Sequence, residues 1–340
     1  FRNVTGVQTC ALPILTTATA PVRPSSRKEC SGFLPIGVDT ITVSTELPFN
    51  LYLRVNPAAP PILYRERRLA MESSDFDRLS EQDITTHYIE VADHVAYRDY
   101  LVETVLHNRD VPGPRRFHVL KIANRAVFRS AFGDRNPEKL VNFAAQYGDE
   151  LADIVCDEDL AVGELLGLME HDYYTYTHAT NVSVLSVLIA RELGMGVCDG
   201  IVPLGAGAVI HDIGKRQIAP ALLNQQQPLS EEQREMTQQH PKFGFMELSN
   251  RRDLLWGQLM MVYQHHERWD GRGYPVGFVG EEIHPWARIC AVADVYDAMI
   301  SSRPYRRGLP ANQVWEVLEG GSKLEFDREF VKALRSVVKE

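Results

Sequence analysis

The stretch HHERWDGRGYP, residues 265–275, sets two imidazoles side by side at the end of an apolar run, then breaks the chain with two glycines, an aromatic ring and a proline. A helix that enters such a stretch stops there. The pattern recurs nearby. Of eleven histidines, five stand beside carboxylates or each other in the second half of the chain. His178 lies near the start of the run ATNVSVLSVLIARELG, and His211 and Asp212 form HDIGK after an apolar helix. His240 precedes Pro241, His265 and His266 end LLWGQLMMVYQHH, and Asp294 sits within ICAVADVYDAMIS. Each member closes or interrupts an apolar helix, so the fold of this half is tied to its helix ends.

Imidazole and carboxylate are the ligand types of Mn, Fe and Zn sites. Neighbours on a helix point about 100° apart, so neither His211–Asp212 nor His265–His266 chelates one ion simply. Two adjacent ions, with Asp212 bridging and one imidazole of the HH pair on each, suit the spacing better. A single histidine at a helix end is ordinarily a satisfied surface or core residue, and His87, His94, His107, His118, His171 and His284 are read that way. The joint constellation is harder to assign to chance than any one dipeptide.

At 340 residues the chain is long enough for two domains. Its net charge of −9 argues against a nucleic-acid polymer as partner, so an anionic ligand must be met by local cations or metal. The five cysteines are scattered and form no CxxC pair, which fits a reducing cytoplasm. The longest apolar run, VSVLSVLIA at 182–190, is about half of the ~20 residues that span a bilayer, and no membrane span is expected.

VTGVQTCALPI, residues 4–14, resembles an in-frame translation of a sequencing-library adapter and lacks the basic region of a signal peptide. Residues 1–15 are set aside on that ground, and 16–32 are read as a disordered polar lead. Residues 33–108 read as a small α+β module. TITVS, FNLYLRV, PILYRER and HYIEV alternate like strands, SSDFDRLSEQD reads as a serine-capped helix, and AYRDYLVETVLHN as another helix. DVPGPRR opens a linker and connecting helix over 109–144, and 145–340 is helical throughout. NPEKLVNFAAQYGDELADIV carries an asparagine cap and a proline at the first helical position.

HATNV, HDIGK, HP, HHERWDGRGYP and ADVYDAMISSRPYR occur in an order and at spacings that resemble the HD-GYP family of bacterial cyclic di-GMP phosphodiesterases, a branch of the HD metal-dependent phosphohydrolases. The resemblance covers about 145–335, with a weaker likeness of 33–108 to a small domain found ahead of such domains. It implies a mainly α protein with an all-helical catalytic domain, and an iron or manganese centre. Carried over residue by residue, it makes His178, His211, Asp212, His240, His265, His266 and Asp294 metal ligands. Lys215, three residues after Asp212 and on the same helical face, becomes the cation for the scissile phosphate or leaving oxygen. Gly271 and Gly273 permit a tight loop. Gly273, Tyr274 and Pro275 form a wall for guanine or ribose, and Arg303 and Arg306, with Arg307 less engaged, bind the non-scissile phosphate.

In three-metal relatives a glutamate stands four residues before the histidine matching His178; here it is Tyr174, a poor ligand at neutral pH. Two divalent ions, Fe or Mn, are therefore expected, unless Asp172 replaces the glutamate. The implied reaction is attack on phosphorus by a metal-bridged hydroxide, giving pGpG and, on further cleavage, GMP. Two other readings stand beside it: an HD phosphohydrolase of another cyclic dinucleotide, and a non-catalytic nucleotide-sensing module. A homodimer or a signalling protein is left open as partner.

Overall fold

The computed structural model describes residues 32–54, 59–157, 160, 162–169, 175–223, 225, 227–302, 307–321 and 325–339. The adapter-like stretch, nearly all of the polar lead, His171, Asp172, Tyr174, Arg303 and Arg306 lie outside these. The chain divides into two compact units, at residues 123 and 124.

The N-terminal unit is built on a four-stranded antiparallel sheet of order β1-β4-β2-β3, from β1 (Phe33–Gly37), β2 (Leu51–Leu53), β3 (Ile62–Arg65) and β4 (Thr86–Glu90). Helices α1 (Ser73–Glu81) and α2 (His94–Leu101) accompany it. Pro35 is tolerated because β1 is an edge strand, where one row of backbone N–H groups makes no ladder bond. Leu47, Phe49, Leu51, Met71 and Ile89 are buried, and Phe49 meets Tyr97 and Tyr100 edge-on at 5.5 Å each.

Two expectations need correction here. TITVS is not a strand. The Thr42 N–H donates to the Tyr100 hydroxyl and the Ser44 N–H to the Met71 carbonyl, and Ser44 adopts a φ of 57°, so the segment turns instead of pairing. The cap of α1 is Glu72 rather than a serine, in a reciprocal box with Asp75.

α3 (Gly113–Gly133) carries the division between units, and the remaining helices are α4 (Pro137–Val155), α5 (Val162–Gly167), α6 (Thr175–Glu192), α7 (Val202–Ile210), α8 (Pro220–Leu223) and α9 (Glu231–Thr237). They are followed by α10 (His240–Leu248), α11 (Trp256–Gln264), α12 (Pro285–Ile300), α13 (Ala311–Gly321) and α14 (Arg328–Lys339). Asn136 caps α4 by accepting from the Glu138 N–H at 3.0 Å, with Pro137 at the first helical position. α6 is the centre of this unit: every residue from Tyr176 to Ala190 is buried, serines included, with α7, α12 and α14 packed around it. α7 is a run of Gly, Ala and aliphatic residues, small enough to lie against α4, α6 and α11 at once. Among the described residues this unit contains no strand, and none of its helices, nor any in the N-terminal unit, is long and apolar enough to cross a membrane.

One buried titratable group sits in the N-terminal sheet. His87 on β4 is fully buried against the Tyr64 ring, 5.4 Å between centroids, and neither ring nitrogen has a hydrogen-bond partner among the described residues. Burial pushes its pKa down to about 4. The unfolded chain then binds the proton first, so the stability this neutral ring permits is whole above about pH 6.5 and is lost as pH falls toward 4, by up to about 3 kcal/mol. Hydrogen exchange of the β4 amides in the full chain should accelerate between pH 6.5 and 4.5 beyond the intrinsic rate change. His87→Phe should remove that excess, and an unchanged profile in this variant would exclude His87 as its source.

Candidate metal centre

Three of the histidines take their place from one local rule. The last turns of a helix leave carbonyl groups without intrahelical N–H partners. The His211 Nδ1–H donates to the Ala208 carbonyl at 2.6 Å, at the end of α7. The His240 Nδ1–H donates to Thr237, the last residue of α9, at 2.8 Å. The His265 Nδ1–H donates to Met261, in the last turn of α11, at 2.9 Å. A carbonyl only accepts, so each Nδ1 carries the proton and each Nε2 presents a lone pair. His178, one turn into α6, reaches the same state differently: its Nδ1–H donates to Asp297 Oδ2 at 2.7 Å.

These lone pairs converge. His240 Nε2 lies 3.2 Å from His265 Nε2 and 3.2 Å from Asp212 Oδ1. His211 Nε2 lies 3.4 Å from Asp212 Oδ2, and His178 Nε2 lies 3.1 Å from Asp294 Oδ1. The ligand atoms form two groups, each within 4.8 Å: Asp212 with His240, His265 and His266, and Asp212 with His178 and His211. Asp212 is common to both. Asp294 belongs to neither group but adjoins the second through His178.

The grouping differs from the expectation of one HH imidazole per ion. α11 ends at Gln264 with His265 as its cap, so His266 lies past the helix and the 100° divergence does not fix its direction. Their rings approach to 4.1 Å and fall in the same group. His211 and Asp212 likewise share a group. The 3-10 turn Ile213–Gln217 that follows Asp212 packs on the start of α10 so closely that a Cβ at Gly214 would lie 1.9 Å from the His240 carbonyl oxygen. This contact holds Asp212 beside His240.

Burial keeps the rings neutral. It lowers His240, takes His265 down to about 4 and His266 well below the usual imidazole range. Burial alone would raise Asp212, but the Lys215 ammonium, 2.5 Å from Oδ2, outweighs it and holds the carboxyl well below its ordinary value. Neutral imidazole and ionised carboxylate are the ligand-competent forms. Lone pairs facing each other at 3.1–3.4 Å in a buried pocket repel unless a cation lies among them. The donor set therefore fits divalent metal.

Of the remaining site residues, Gly273, Tyr274 and Pro275 lie in the loop after the HH pair, and the Tyr274 ring stacks on His266 at 4.7 Å and 28°. Tyr274–Pro275 is a cis peptide. Lys215 is half-buried on Asp212, and Arg307 is exposed. Arg303 and Arg306 are outside the described residues. Two residues escaped the sequence reading. Asp297 anchors His178 and also accepts from Asn181 Nδ2 at 2.7 Å and Ser301 Oγ at 3.3 Å. Asn181 stands three residues after His178, and Asp297 three after Asp294, so helical spacing was the available signal.

Residues 174–330 match a family model described as an HD domain. A cyclic di-GMP phosphodiesterase of Pseudomonas aeruginosa is 34% identical over 222 residues, covering 62% of this chain and 52% of that protein. A cyclic di-GMP phosphodiesterase of Thermotoga maritima is 34% identical over 201 residues, covering 58% and 52%. A 3′3′-cGAMP-specific phosphodiesterase of Vibrio cholerae is 34% identical over 168 residues, covering 48% and 35%. The chain thus spans about half or less of the length of the curated relatives it matches. In fold it is similar to an HDGYP protein from Bdellovibrio bacteriovorus, with a TM-score of 0.64 at 21% identity, covering 91% of this chain and all of that one.

Asp297 fixes the tautomer and orientation of His178 from behind, and such carboxylates typically set metal affinity by 10–100-fold. Asp297→Ala should weaken Mn(II) binding by about that factor, read by chelator competition, with helical content unchanged by circular dichroism. Unaltered affinity would show that α6 alone orients His178.

Proposed function

We propose that this protein, whose residues 174–330 match the HD domain model, is a metal-dependent phosphodiesterase that hydrolyses cyclic di-GMP to pGpG and onward to GMP, with two divalent ions, Fe or Mn, held by His178, His211, Asp212, His240, His265, His266 and Asp294. The observation that carries it is the buried convergence of anchored imidazole lone pairs on Asp212, shared by two ligand groups. The named activities of the relatives supply the substrate class. Imidazole with carboxylate and no described thiolate in the groups suits Fe or Mn.

When bound, divalent ions supply Lewis acidity and an activated water at neutral pH. The chain's own residues do the rest. Asp212 and the neutral imidazoles would hold the ions at one point, and so fix where an anionic phosphodiester could be drawn and oriented. The Lys215 ammonium, beside Asp212 at the edge of the cluster, meets charge that develops on the phosphate or the leaving 3′-oxygen. Tyr274, stacked on His266, offers a face to a base, and Arg303 and Arg306 are assigned to the second phosphate. A protein nucleophile is not needed. Cys290, the cysteine nearest in sequence to Asp294, is buried, and burial with the charges of Asp294 and Asp212 pushes its thiol well up, away from thiolate.

A second reading has its own support: a cyclic dinucleotide with one adenine, since relatives named for 3′3′-cGAMP match at comparable identity. The N-terminal unit is assigned a regulatory role toward a signalling partner or second copy. The cytoplasm is the proposed compartment, in keeping with free Cys156, Cys198 and Cys290.

Turnover by anaerobically purified protein, with metal measured on the same sample, tests the reading. Cyclic di-GMP should be cleaved faster than 3′3′-cGAMP at equal concentration; preference for the latter selects the second reading, and no turnover of either by metal-loaded protein defeats both. Lys215→Ala should lower kcat about 10²–10³-fold with metal content retained, and a loss of metal instead would reassign Lys215 to holding Asp212.

A further inference from the structure

Glu267 follows the HH pair directly and is buried, yet it is not directed at the metal cluster. Its Oε1 accepts the N–H of Val276 at 2.8 Å and of Gly277 at 3.1 Å, and its Oε2 accepts the N–H of Gly277 at 3.0 Å and of Phe278 at 3.1 Å. Three consecutive backbone amides thus close on one carboxylate. Such a nest needs an alternating backbone, and Gly277 supplies it with a φ of 89° that a side chain would strain. Further bonds seal the same loop: the Tyr274 N–H donates to the His266 carbonyl at 3.2 Å and the Gly280 N–H to the Trp269 carbonyl at 3.1 Å. The loop is therefore folded back on the residue that ligates metal, with the Tyr274 ring stacked on the His266 ring.

We infer that Glu267 is a positioning residue that sets the Tyr274–Pro275 wall at a fixed distance from the metal cluster by clamping the amides of 276–278. The inference rests on the reading of this site as a cyclic dinucleotide phosphodiesterase. Charge-assisted bonds to an anion are about twice as strong as neutral ones, and four of them on one buried carboxylate make the loop a rigid surface before substrate arrives. A wall placed in advance lowers the cost of ordering a base against it. Glu267 touches neither metal nor substrate. Its removal should therefore show in substrate affinity and leave the metal in place.

The test uses the full chain with metal loaded under anaerobic conditions. Glu267→Gln keeps the shape of the side chain but replaces one acceptor oxygen with a donor. Gly277→Ala strains the same turn and leaves the carboxylate intact. Each should speed hydrogen exchange at the amides of 276–278, raise KM for cyclic di-GMP about tenfold, keep kcat within about threefold and leave metal content unchanged. Tyr274→Ala should raise KM similarly, and the Glu267→Gln/Tyr274→Ala double variant no further than either alone, because both act through one wall. A loosened loop with unchanged KM, additive effects in the double variant, or metal lost in parallel with kcat would each overturn the inference. If the unmodified protein cleaves no cyclic dinucleotide, the functional reading fails and the KM effect with it. The amide exchange then still decides whether Glu267 clamps the loop.

Discussion

Asp212 is the constraint around which the helical unit is arranged. Its two oxygens face His240 on one side and His211 on the other, at 3.2 and 3.4 Å, and all three residues are buried. A buried carboxylate surrounded by imidazole lone pairs is unfavourable without positive charge. Lys215 supplies one cation, and the convergence of the remaining donors calls for divalent metal. Much of the local architecture follows from holding that cluster together. α7 must be slim enough to bring Asp212 to the centre, and the turn after it must lack a side chain at Gly214 to reach α10.

The helix-end rule explains why histidines and chain breaks coincide. A histidine just beyond a helix can use an orphan carbonyl one turn back as its Nδ1 anchor. The same bond fixes the tautomer, aims Nε2 and satisfies a backbone group, as at His211, His240 and His265. His178 stands inside a helix whose carbonyls are already engaged, so it needs a side-chain anchor, Asp297. Asp297 in turn accepts from Ser301, so one carboxylate joins His178 on α6 to the residue that follows α12.

Periodicity made the helical unit legible. The asparagine cap and Pro137 marked the start of α4, and glycine after the long apolar run marked the end of α6, where Gly194 takes a φ of 71°. The α+β module was readable for β2, β3 and β4, but alternation reflects real half-burial only in β4; in β3 both Ile62 and Leu63 are exposed, and the β-branched and aromatic residue types carried the reading. It misled at TITVS, where Ile41 is buried and Val43 exposed, but the backbone bonds go to a tyrosine hydroxyl and a loop carbonyl. Alternation reports which face is buried and is silent on whether a neighbouring strand exists. β1 went unread because Pro35 is a strand signal only at an edge, and edge position is a property of the sheet.

The sequence by itself determined the residue types, their order and their placement at helix ends, which was enough to name a candidate metal cluster and its chemical class. How the ligands divide was decided by the tertiary structure. HH looked like one imidazole per ion because helical neighbours diverge, yet His266 lies past the end of α11 and the pair shares one group. The anchoring of His178 by Asp297, 119 residues away, and the clamp of Glu267 on the amides of 276–278 were likewise outside its reach. Spacing along a helix encodes only local direction. Which acceptor a buried ring or carboxylate finally meets depends on how separate helices and loops pack, and that packing is set by contacts between residues far apart in the chain.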